Sequence, residues 1–157
     1  MIMCMDNLSK INFETPKTAD VITQTSAPQT YSSPRKNLKE KLEPAEPGLF
    51  KLRNNASETR FILTSEISCI YSKGGRVRKI HLLIFAPDFL TVEKINVHLG
   101  RIGNLKSDGR PILGLDAKEL AKIALGVNPE CLVVPAHIWT PWFSLFGSMS
   151  GFDSIEE

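Results

Sequence analysis

Phe61-Ile62-Leu63-Thr64-Ser65-Glu66-Ile67-Ser68-Cys69-Ile70-Tyr71 runs into Ser72-Lys73-Gly74-Gly75-Arg76 and out again through Val77-Arg78-Lys79-Ile80-His81-Leu82-Leu83-Ile84-Phe85. β-Branched and aromatic residues dominate both flanks, and the central Gly-Gly tolerates the positive φ angles of a tight antiparallel turn. The stretch therefore predicts a β-hairpin. Pro87-Asp88 ends its second strand, and Val92, Ile95 and Leu99 then fall on one face at helical spacing, which predicts a helix from about residue 91. Residues 100 to 115 carry four glycines among Asn104, Ser107 and Asp108, the texture of a functional loop. Asp116 reads as an N-cap with Glu119 three residues on, as in a capping box, and Leu120, Ile123 and Ala124 make the apolar face of a helix ending near Gly126. Asn128-Pro129 separates that helix from a strand over 131–136. Strand, strand, helix, loop, helix, strand is the order of a mixed α/β domain with at least one crossover.

Upstream of the hairpin the signals weaken. Leu38 and Leu42, at i and i+4 among charges, predict a turn or two of amphipathic helix over 37–43 that Pro44 and Pro47-Gly48 stop. Residues 1–36 are rich in Ser, Thr and Pro and follow no period of 2 or 3.6, so they are expected to form a disordered arm preceding a folded domain over 37–157.

The chain has 157 residues, enough for one domain with a core, and its net charge of +2 is too small to argue for nucleic acid by itself. Cys4, Cys69 and Cys131 lack any C-x-x-C pair, so neither a disulfide framework nor a thiolate zinc site is indicated. No run reaches the roughly 18 apolar residues of a membrane span, and residues 1–6 lack the basic flank and apolar core of a signal peptide. The expected location is the cytoplasm.

Three residues have the chemistry of metal ligands: Glu66, His81 and His137. The last follows Leu132-Val133-Val134-Pro135-Ala136 and leads into Ile138-Trp139-Thr140-Pro141-Trp142-Phe143. All three are expected near strand ends, where α/β proteins place their sites. Imidazole and carboxylate suit a divalent cation such as Zn²⁺ or Mn²⁺, yet the long separations match no compact metal signature, and hydrogen-bonded polar residues at strand ends are the plainer reading of spacing alone. Arg78, Lys79 and Arg110 are either solvated charges or phosphate contacts. Trp139 and Trp142 are either core or stacking surfaces for bases.

In combination, Thr64-Ser65-Glu66-Ile67-Ser68, Val77 to Pro87, Gly109-Arg110-Pro111-Ile112-Leu113-Gly114-Leu115-Asp116 and Pro135-Ala136-His137-Ile138-Trp139-Thr140-Pro141-Trp142 closely resemble the PHP (polymerase and histidinol phosphatase) domain of the endonuclease Q family. The resemblance implies a distorted β/α barrel with divalent metals at the carboxyl ends of its strands. It also implies DNA as partner and a repair activity that nicks on the 5′ side of deaminated bases or abasic sites. Residue by residue, Glu66 matches the family's metal-bridging carboxylate, His81 the histidine of the next strand, and His137 the histidine of the A-H-I-W-T-P motif. Under the same resemblance Arg78, Lys79 and Arg110 become candidates for DNA backbone contact.

The pattern also departs from the family. Its first strand carries an H-x-H pair and its second a G-T-G-D-F-T-H-P type segment, and with three histidines at 81, 98 and 137 this chain holds neither. The late Asp-x-His motif is missing too. The expectation is a partial PHP-type barrel, a fragment of the nuclease that is inactive alone and associates with another chain to cover open barrel edges. A non-catalytic DNA-binding module and a phosphoesterase acting on a small substrate are the competing functions. No G-x-x-x-x-G-K-[ST] loop supports ATP-driven unwinding.

Overall fold

The computed structural model describes residues 35–54, 56, 58–106 and 110–157. Most of the arm expected over 1–36 lies outside the described residues, as do Ser107, Asp108 and Gly109 of the glycine-containing loop. The arm's last two residues instead open the first helix, α1 (Arg35–Lys41). Leu38 and Leu42 are both buried, as their spacing requires, but the helix stops before Leu42, which begins β1 (Leu42–Glu46). β1 pairs antiparallel with β2 (Leu49–Leu52) around Gly48, whose φ of 73° suits a tight turn. Pro44 sits inside β1 rather than ending a helix. A proline lacks the N–H of a central ladder but is tolerated in a two-stranded edge with a register shift, and this pairing shifts between Pro44 and Glu46.

The hairpin is β3 (Leu63–Lys73) and β4 (Arg76–Ala86), eleven residues each, in uninterrupted register from Leu63↔Ala86 to Lys73↔Arg76. Gly74 and Gly75 form the turn with φ of 61° and 72°. Alternation divides the sheet into two chemically different faces. Leu63, Ile67, Cys69, Ile80, Leu82, Ile84 and Ala86 point to one side and join the hydrophobic core. Thr64, Glu66, Ser68, Lys79, His81, Leu83 and Phe85 point to the other.

α2 (Phe89–Leu99) and α3 (Ala117–Val127) cover the apolar face through Val92, Ile95, Leu99, Leu120 and Ala124. Asp88 caps α2 by accepting from the Thr91 N–H at 2.7 Å, which is why the helix starts three residues before its apolar period does. Asp116 caps α3, but through the Lys118 N–H, and Glu119 pairs with Lys122 instead of closing a capping box. α3 runs through Gly126 to Val127 and stops at Asn128, which Pro129 holds extended at φ −154°, ψ 118°.

β5 (Ile112–Leu113) lies parallel to β3, and β6 (Leu132–Pro135) antiparallel to β4, giving the order β5-β3-β4-β6. The architecture is mixed α/β, and among the described residues the sheet is open: no barrel closes. Beyond β6 the chain winds back along β4, where His81 N–H donates to Phe143 C=O at 2.9 Å and Lys79 N–H to Ser150 C=O at 3.1 Å. Part of the edge that sequence leaves bare is thereby paired.

Candidate metal centre

Glu66 and His81 stand in mid-strand, not at the strand ends expected of them; His137 alone follows the end of a strand. The β3–β4 register pairs Glu66 with Leu83 and Ser68 with His81, so Glu66 and His81 are diagonal neighbours on the polar face. Glu66 Oε1 lies 2.9 Å from His81 Nδ1. His137 comes in from the turn after β6 and sets its Nε2 3.1 Å from the same His81 Nδ1. One ligand atom from each residue fits in a cluster with no pair more than 4.8 Å apart.

The backbone holds His137 in a left-handed conformation, φ 34°, unusual for a residue with a side chain. The Ala136 N–H donates to His81 C=O at 3.0 Å, while Thr140 donates to His137 C=O through its N–H at 3.0 Å and its Oγ1 at 3.1 Å. These bonds anchor the turn on both sides. Phe143, also left-handed at φ 58°, stacks on the His81 ring with centroids 4.6 Å apart. His81 is buried, and its orientation is set by that ring together with the ladder bond to Phe143 C=O.

Glu66 carries a perturbed charge. Contact with His81 holds its carboxyl below the usual value of 4.5, burial opposes this, and the Arg110 guanidinium assists. Arg110 Nη2 is 2.9 Å from Oε2. Oε1, on the histidine side, is buried without a well-formed hydrogen bond. One ring nitrogen, His81 Nδ1, faces both Oε1 and His137 Nε2, yet has a single in-plane lone pair or proton to offer. A cation among the three would engage every one of these atoms. Zinc ligands at about 2.0–2.2 Å in a tetrahedron stand roughly 3.3 Å apart, close to the 2.9 and 3.1 Å spacings about His81 Nδ1, and two histidines with a glutamate is a known catalytic donor set that leaves a fourth position open. The residues fit a divalent metal.

The basic candidates divide. Arg78 is placed as an interior brace, not as a phosphate contact: its side chain is 6% exposed, donates to Gly151 C=O, pairs with Glu157 at 3.3 Å and lies 4.2 Å over the Phe152 ring. Its strand position decides this, since Arg78 points to the core side and Lys79 to the metal side. Lys79 Nζ lies 5.3 Å over Trp142 and 5.6 Å over Phe143. Trp139 and Trp142 are exposed, at 78% and 47%. Sequence reading missed the bracing by Phe143 and the pairing of Arg110 with Glu66, because both depend on registers that no local pattern encodes.

No protein-family model matches the chain, and no curated protein matches it. Two solved structures are similar to it: the lesion-specific endonuclease PfuEndoQ from Pyrococcus furiosus, and endonuclease Q in complex with a 27-mer duplex substrate with an abasic lesion at the active site. Each is 30% identical, with a TM-score of 0.55 over 77% of this chain. The match takes in 26% and 27% of those structures, so this chain spans about a quarter of their length.

Proposed function

We propose, given the similarity of this chain to part of endonuclease Q, that residues 37–157 form the metal-binding portion of a DNA-repair endonuclease directed at deaminated bases or abasic sites. The observation that carries the reading is the convergence of Glu66, His81 and His137 within 4.8 Å on one polar sheet face. When bound, a divalent cation, Zn²⁺ or Mn²⁺, supplies Lewis acidity toward a phosphodiester and toward water. Glu66 contributes the negative charge of the site, and His81 and His137 its neutral donors. Phe143 keeps the His81 ring from turning. Lys79, on the same face, supplies positive charge to an approaching DNA backbone, and exposed Trp139 and Trp142 offer π-faces to bases. Arg78, enclosed behind the sheet, has no part in contacting DNA.

The chain binds metal and DNA but does not nick alone, because about three quarters of the length of the endonuclease Q structures has no counterpart in it. Metal analysis of the purified chain beside Glu66→Gln and His137→Ala tests the first half: stoichiometric metal in the parent, lost in both variants, is expected. Incubation with uracil-, hypoxanthine- or abasic-site DNA and Mn²⁺ or Zn²⁺ tests the second. Nicking that Glu66→Gln abolishes would overturn the inactivity.

A further inference from the structure

Arg110 belongs to the glycine-containing loop in sequence, yet the structure ties it to the sheet. Ser68 N–H donates to Pro111 C=O at 2.9 Å, and β5 pairs Ser68 with Ile112 and Cys69 with Leu113 in parallel register. Two residues back along each chain, that register sets Arg110 beside Glu66, on the face that carries the metal site. The two oxygens of Glu66 then have separate surroundings. Oε2 is 2.9 Å from Arg110 Nη2, and Oε1 is 2.9 Å from His81 Nδ1. A short parallel strand of two residues thus suffices to deliver a planar cation to the outer oxygen of the one acidic ligand.

We infer that Arg110 is a positioning residue of the metal site: by holding Oε2 it keeps Oε1 of Glu66 turned toward His81 and the metal position. This deepens the metal-binding reading proposed above and rests on it. Ligating carboxylates are commonly oriented by such an outer partner, and loss of the partner costs about 10–100-fold in metal affinity. A competing effect has the opposite sign, because the guanidinium charge repels an incoming cation. Arg110 is 44% exposed, so solvent screens that repulsion, whereas the orientation of the carboxylate is lost outright when the side chain is removed.

The inference is tested by titrating the metal-free chain with Zn²⁺ and with Co²⁺, following heat and the visible absorption of the cobalt form, for the parent, Arg110→Lys and Arg110→Ala. Expected are metal binding in the parent, affinity about 10–100-fold weaker in Arg110→Ala with an altered cobalt spectrum as Glu66 loses its fixed orientation, and an intermediate affinity in Arg110→Lys, which keeps a charge but not the planar fork. Unfolding temperatures of the three metal-free chains report on folding separately from the site. Equal or tighter binding by Arg110→Ala with an unchanged spectrum overturns the role of Arg110 while leaving the metal site standing. A parent chain that binds neither ion overturns both.

Discussion

His137 holds two properties in one residue, a ligand atom and a strained backbone, and they separate under substitution. At φ 34° a glycine avoids the steric cost that a Cβ carries, about 1 kcal/mol, partly offset by the greater freedom of glycine in the unfolded chain. His137→Gly is therefore expected to keep or slightly raise the unfolding temperature of the metal-free chain while removing metal binding; His137→Ala should remove binding with no such gain. Calorimetric unfolding beside a zinc titration distinguishes the two. Glu66 titrates in the opposite sense to a stabilised base. Its folded-state value lies below 4.5, so the stability its ionised form contributes is present above that pH and is lost as pH falls through the lower folded value. The metal-free parent should lose stability in that acid window more steeply than Glu66→Gln. Cys69 shows the inert end of the scale: burial pushes its thiol up to about 12, and native protein should resist alkylation there at pH 8 until it unfolds.

At the scale of elements, the winding segment after β6 is held by close backbone approach. A Cβ on Gly151 would meet Gly147 N at 2.3 Å and Leu145 O at 2.6 Å, so side chains are excluded by backbone that has nowhere to retreat. Gly151→Ala is expected to cost about 1–3 kcal/mol in denaturant unfolding, as overpacking does, and to loosen Phe143 from His81, weakening metal binding as well. The same change at Gly126 meets nothing within 4 Å and, in a helix, should be neutral or stabilising. The pairing of β3 with β4 was legible because Gly74-Gly75 fixes the turn and thereby the register of every residue on the strands. β5 was not legible: two residues carry no periodicity, and their strand character comes from β3 lying alongside.

Across the whole molecule, the helices cover one face of the sheet and leave Leu83, Phe85, Leu132 and Val134 outside the core, with Leu132 58% exposed. Concentration-dependent association in sedimentation experiments is expected, and Leu132→Lys should weaken it, since a charge on an edge strand opposes pairing. No described helix is long and apolar enough to cross a membrane. The DNA binding proposed above should weaken with salt, and Lys79→Ala should reduce the slope of that dependence by about one, while Arg78→Ala should act by destabilising the fold instead.

The hairpin, the two capped helices and the apolar face they cover were readable from the chain alone, because turn residues, caps and periodicity are local and physical at the scale of a few residues. The sequence also named Glu66, His81 and His137, since their chemistry belongs to their side chains. That Oε1 of Glu66 faces His81, that Arg110 takes the other oxygen, and that Arg78 turns inward while Lys79 turns out follow from the packing of the chain. Those outcomes depend on the register between segments far apart in the chain, which is fixed by the burial of whole faces and not by any residue's neighbours in sequence.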